Sequence, residues 1–136
     1  MSDATTYADV VEGIRRTIAA YTQALDDGRT DEVVATFCPD GVCDIPGMGT
    51  HAGHDALRAA YERWKPRRPQ RHLVVNTLVT GWSDHEATAV SDVVFLLHGD
   101  AGWAVQVVGR YHDTLHCDGE TWRFHERAAT FIPAAT

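Results

Sequence analysis

Ile14–Gly28, IRRTIAAYTQALDDG, is the stretch on which the reading of the chain turns. Val11, Ile14, Ile18, Tyr21 and Leu25 recur at helical spacing, so one stripe of this segment faces a core. Gly28 stands where a helix commonly ends in a left-handed residue. Two residues do not belong to a plain amphipathic helix. Tyr21 carries a hydroxyl into the apolar stripe. Asp26 puts a carboxylate in the last turn, where the helix dipole disfavours an anion. A solvated turn explains Asp26 as well as a functional carboxylate does, on this segment alone.

Working outward, the first helix is expected over residues 7–27. Thr30 can cap a second, short helix with Asp31 and Glu32 in its first turn and Val33, Val34 and Phe37 as apolar contacts. Pro39 and Asp40-Gly41 end it. Residues 42–45 read as a short strand stopped by Pro46. A third helix spans 55–64, with Leu57, Ala60, Tyr61 and Trp64 on one face, and ends at Lys65-Pro66. From Arg71 the pattern changes to strands, over 71–82, 87–98, 102–117 and 121–133, joined by turn-forming residues. Strict alternation puts His72, Val74, Asn76, Leu78 and Thr80 on one face, and Leu73, Val75, Thr77 and Val79 on the other. It likewise groups Asp92 with Val90 and Val94, and Tyr111 with Gly109 and Asp113. Helices followed by an antiparallel meander give an α+β class. Three N-terminal helices would pack on one face of a strongly curved, mostly antiparallel sheet, with a pocket between the layers.

The chain has 136 residues, 44% of them hydrophobic and 23% charged, which suits one globular domain. A net charge of −7 argues against a nucleic-acid partner. No apolar run is long enough to span a membrane and no signal-peptide pattern opens the sequence, so a cytoplasmic location is expected. Three cysteines, with no Cys-x-x-Cys, signal neither a disulfide framework nor a thiolate zinc site. Eight histidines invite a metal, but their spacing does not support one. His112 and His116 are about 13 Å apart along an ideal strand, and His51-x-x-His54 has no evident third ligand. No phosphate loop and no Gly-x-Ser-x-Gly elbow is present. No cofactor is implied.

A set of Tyr, Asp and His remains, suited to moving protons on a small organic molecule. A neutral His takes a proton, a carboxylate fixes its tautomer, and a phenol donates to a developing oxyanion. His72 opens a strand directly after the basic linker Lys65–Arg71, at the expected rim of the pocket.

Several motifs in order resemble the SnoaL-like family. They are Tyr21-x-x-x-x-Asp26-x-Gly28, Phe37-x-Pro-Asp-Gly-Val42, Gly53-His-Asp-Ala-Leu57, Arg71-His72-x-x-x-Asn76, Gly109-Arg-Tyr-x-Asp113 and Gly119-x-x-Trp122-Arg-Phe. The resemblance covers essentially the whole chain as one domain. It implies a cone-shaped, cystatin-like fold with a deep internal pocket, as in ketosteroid isomerase, scytalone dehydratase and polyketide cyclases. In the family's dehydratases an Asp closing the first helix supports a His opening the long strand, and Asp26 and His72 match these positions. Tyr21 matches a Tyr that contacts the substrate oxygen. The isomerase's strand carboxylate falls on Ile45, which turns the expectation away from steroid isomerisation.

The expectation is therefore a cofactor-independent, dehydratase-like lyase or isomerase. Its substrate would be a small, mostly apolar cyclic ketone or hydroxyketone. Tyr21, Asp26 and His72 would be catalytic, and Ile45, Trp64, Asn76, Asp92 and Tyr111 would line the pocket. The alternative is a non-catalytic module that binds a hydrophobic ligand or serves as a small subunit. A homodimer is expected, because Leu73, Val75 and Val79 on the outer sheet face need cover.

Overall fold

The computed structural model describes residues 4–133. Helix α1 spans Tyr7–Asp26. It opens on a capping box in which Thr6 Oγ1 accepts from the Asp9 backbone and the Asp9 carboxylate accepts from the Thr6 backbone. Val10, Ile14, Thr17, Ile18, Tyr21 and Ala24 are its buried stripe, and Asp26 is buried with them. Gly28, at φ +72°, ends the helix as its position predicts. Helices α2 and α3 follow at Thr30–Ala35 and His54–Arg63.

The strands are β1 (Phe37–Ile45), β2 (Gly49–Ala52), β3 (Gln70–Trp82), β4 (Glu86–Gly99), β5 (Gly102–Cys117) and β6 (Trp122–Phe131). They form one sheet in the order β2-β1-β6-β5-β4-β3. The β1–β6 pair is parallel and the other pairs are antiparallel. The helices lie against one face, and the core between the layers centres on Ile14, Phe37, Leu57, Leu115 and Phe124, all fully buried. This is the α+β architecture expected from the sequence.

Three local expectations need correction. Phe37 opens β1 rather than closing α2, because its ring joins Tyr21, Tyr61 and Phe124 in the core. Strand β2 was unexpected, since GTHA offers no apolar alternation. The alternation in β3 also breaks. Val75 pairs with Asp92 and Leu78 with Val90, so Asn76 and Thr77 together oppose Ser91. Asn76, at φ +57°, absorbs this bulge. Beyond it the faces exchange. Thr77 turns inward to bond Ser91 Oγ at 2.9 Å and Val79 packs on the core, while Leu78 turns out. The exposed apolar face is thus carried by Leu73, Val75 and Leu78, not by Val79.

Candidate active site

The end of α1 meets the beginning of β3, and one carboxylate joins them. Asp26 Oδ2 accepts the His72 backbone N–H at 2.7 Å. Asp26 Oδ1 accepts from Gln70 Nε2 at 3.1 Å and lies 2.7 Å from His72 Nδ1. A carboxylate that accepts from all these groups assigns the imidazole proton to Nδ1 and leaves a lone pair on Nε2. The Asp26 side chain is 4% exposed and that of His72 16%. The ring of His72 stacks on that of Phe95, with centres 4.5 Å apart and planes at 25°. The anion that the helix dipole disfavours is therefore held by three hydrogen bonds from the facing strand.

His72 faces a cavity of about 230 Å³. Apart from His72 and Gln70, its walls are mainly apolar and aromatic: Leu25, Ile45, Trp64, Val93, Phe95, Val107 and Phe131, with Tyr21, Tyr61 and Tyr111. At about 30 Å³ per water in the liquid, the space equals about eight waters, enough for a one- or two-ring molecule. Gly109 gives part of the wall; a Cβ there would stand 2.8 Å from the Thr130 carbonyl. A wider surface cleft, about 670 Å³ between α1 and the start of β6, is lined by solvated side chains such as Arg16, Glu32 and Arg123.

The three tyrosines differ. The Tyr21 and Tyr61 hydroxyls bond to each other at 2.6 Å, and Cys43 Sγ lies 3.4 Å from the Tyr61 oxygen. Burial raises the pKa of both phenols and of the Cys43 thiol above their ordinary values. Tyr111 has no such partner among the described residues. Burial pushes its pKa up to about 12, against the pull of Arg127. All three phenols are neutral donors at neutral pH, not phenolate bases.

Beneath them lies a second ion pair. Arg127 and Asp113 side chains are both 0% exposed and bond through Nε–Oδ1 at 2.9 Å and Nη2–Oδ2 at 3.2 Å. The Arg127 guanidinium carbon sits 3.6 Å from the centre of the Tyr111 ring and 4.5 Å from that of Tyr21. Burial alone would lower the Arg127 pKa; Asp113 and the two phenols outweigh it and the value rises. Burial pushes the Asp113 carboxyl up against the pull of Arg127.

Of the residues singled out in the sequence, Tyr21, His72, Ile45, Trp64 and Tyr111 line the cavity, and Asp26 stands behind His72. Asn76 and Asp92 do not. They bond to each other at 3.1 Å, outside the cavity, and Asp92 also holds Arg110. The bulge at Asn76 and the alternation of β4 turn both away from the pocket. Tyr61 and Gln70 are additions. Tyr61 read as a helix core position, and Gln70 lay one residue before the expected strand; neither carried a chemical signal in sequence.

The helices and the curved sheet enclose an apolar cavity with Tyr21 and His72 on its wall and Asp26 behind His72. The chain belongs to the SnoaL-like domain family, whose model matches residues 6–128. No curated protein matches it in sequence. Among solved structures it is similar to Rv3472(D26N), a function unknown protein from Mycobacterium tuberculosis. That match has TM-score 0.85 and 23% identity, over 93% of this chain and 77% of that one. It is similar to a candidate scytalone dehydratase from Novosphingobium aromaticivorans, with TM-score 0.80 and 23% identity, over 93% and 88% of the two chains. An NTF2-like protein with a cystatin-like fold from the same organism matches with TM-score 0.82 and 19% identity, over 98% and 95%. These likenesses establish the cystatin-like fold.

Proposed function

We propose that the protein is a cofactor-independent lyase or isomerase of dehydratase type, acting on a small, mostly apolar cyclic ketone or hydroxyketone. The observation that carries the reading is the Asp26–His72 bond at the wall of an apolar cavity. Asp26 holds the Nδ1–H tautomer, so His72 Nε2 acts as general base on a carbon beside the carbonyl. The resulting imidazolium is stabilised by the carboxylate behind it. With Tyr61 donating to Tyr21, the Tyr21 proton is free to reach the enolate oxygen. Tyr111 hydrogen-bonds a leaving hydroxyl, which takes the proton from the His72 imidazolium and departs as water; without a leaving group the imidazolium returns that proton to another carbon and the double bond shifts. Ile45 and Trp64 provide shape and exclude water. Ile45 leaves β1 without a second carboxylate at the cavity, which favours a single-base mechanism centred on His72.

The experiment is substrate-independent. A library of small cyclic ketones and hydroxyketones is incubated with the protein in D₂O, and proton exchange beside the carbonyl is followed by NMR. Exchange or dehydration well above buffer, abolished in His72→Ala and Asp26→Asn, is the expected result. Binding without exchange would instead select a hydrophobic-ligand or small-subunit module.

We also assign the exposed apolar face of β3 and β5, with Leu73, Val75, Leu78, Trp103 and Val105, to contact with a second copy of the chain. A monomer by light scattering would remove that assignment.

A further inference from the structure

Away from the cavity, where β1, β5 and β6 come together, three side chains that the proposed reaction does not use converge. Cys38 Sγ and one ring nitrogen each from His116 and His125 lie within 4.8 Å of one another. The backbone brings them there by two irregularities. In β6, Glu126 pairs with Thr114 and Phe124 with Leu115, which leaves His125 as an extra, unpaired residue. In β1, Phe37 pairs with Phe124 and Val42 with Glu126, so residues 38–41 loop out beside that same His125. Bulges re-aim side chains, and these two aim Cys38 and His125 toward His116.

The polar partners in the cluster point to a ligand. His125 Nδ1 is buried and has no hydrogen-bond partner. A buried ring nitrogen in that condition calls for an explanation. The nearest carboxylate, Asp40, stands 4.0 Å away, beyond hydrogen-bond reach. His116 Nε2 is bonded to Glu86 Oε2 at 3.0 Å, which leaves Nδ1 as its available lone pair. A carboxylate on the far nitrogen is the arrangement that fixes the tautomer of a metal-binding histidine. Cys38 Sγ has only a long contact, 3.7 Å, to the Arg123 carbonyl. The two imidazole rings stack face to face, 4.2 Å apart at 14°.

We propose that Cys38, His116 and His125 bind a divalent cation of zinc type. One sulfur and two imidazoles are a borderline-soft donor set, which suits Zn²⁺ rather than Mg²⁺ or Ca²⁺. Bond lengths of about 2.3 Å to sulfur and 2.0–2.1 Å to nitrogen put ligand atoms about 3.5 Å apart around a tetrahedral ion. Reaching that spacing takes a modest closure, with the stacked rings fanning apart so that their lone pairs converge. The Cys38 thiol gives up its proton to solvent as it binds. A fourth position is left toward a cleft of about 530 Å³, also lined by His54 and Cys117. The ion would tie the loop of β1 to the β5–β6 hairpin. Sequence spacing missed the set because its members come from three strands.

The test uses the full chain, free of any affinity tag and stripped of metal. Co²⁺ is titrated in, and absorbance is followed for a thiolate-to-metal charge-transfer band; Zn²⁺ affinity is then read by competition. The proposal expects one ion per chain with that band. Cys38→Ser abolishes the band and weakens Zn²⁺ more than 100-fold, and His125→Ala weakens it comparably. Glu86→Gln weakens it about 10–100-fold. His112→Ala, a histidine on β5 outside the cluster, leaves it unchanged. Absence of the charge-transfer band, or Zn²⁺ binding by Cys38→Ser as tight as in the parent, would overturn the site. Should that variant not fold, the unmodified protein decides. Zn²⁺ must slow alkylation of Cys38 by iodoacetamide, and an unchanged rate refutes the site.

Discussion

Among the described residues two acid–base pairs are buried, and they are built to opposite ends. Asp113 and Arg127 are fully enclosed, bonded twice, and capped by aromatic faces. Asp26 and His72 share one side-chain bond, and the imidazole, a wall residue of the cavity, keeps 16% of its side chain exposed. The first pair uses its main hydrogen-bonding capacity inside the core. The second holds one nitrogen in a fixed tautomer and leaves the other free. The enclosed pair specifies structure, with only Arg127 Nη1 left without a partner among the described residues; the pair with a free ring nitrogen beside an apolar cavity is the one we propose for proton transfer.

The comparison breaks most sharply on activity. His72→Ala and Asp26→Asn are each expected to lower turnover by about 10²–10⁴-fold, with a near-parental thermal midpoint. A loss of folding in both variants would show that this pair is structural too. Arg127→Ala should do the reverse, costing about 3–5 kcal/mol of stability in a urea titration, because it strands the Asp113 charge. A cost below about 1 kcal/mol, the level of an exposed pair, would mean that the pair is not enclosed. Tyr21→Phe removes the donor proposed for the enolate oxygen and should cost about 10²-fold in turnover with KM little changed.

A smaller effect is expected in alkali. Tyr111 ionises near 10 when unfolded and near 12 when folded, so the native state holds its proton longer. Stability is therefore fully retained below pH 10 and falls as the pH rises toward about 12, by about 2–3 kcal/mol from this residue. Unfolding curves for Tyr111→Phe should lack that part of the alkaline slope. The smallest effect is the joint replacement of Asp113 by Leu and Arg127 by Met, which should come out near neutral in stability, since packed apolar groups can replace a buried pair.

Helix α1, its stop at Gly28 and the switch to long strands were legible because period and turn chemistry are local signals. The meeting of Asp26 with His72 was legible only through the likeness of ordered motifs, as the two are 46 residues apart. What stayed hidden depends on register. The bulge at Asn76 leaves no trace in alternation, so Asn76 was assigned to the wrong face. The union of Asp113 with Arg127 needs the pairing of β5 with β6 before it can be seen. Tyr61 reads as one more apolar helix position until its hydroxyl is found on that of Tyr21.

The central claim is that Asp26 fixes the proton of His72 on Nδ1 and presents Nε2 to the cavity. Long-range ¹H–¹⁵N NMR of the imidazole rings measures this directly. The account predicts an Nδ1-protonated His72 whose Nε2 resonance shifts when a cyclic ketone enters, with the tautomer lost in Asp26→Asn. A ring protonated on Nε2, or one whose tautomers are unchanged by that substitution, would contradict it.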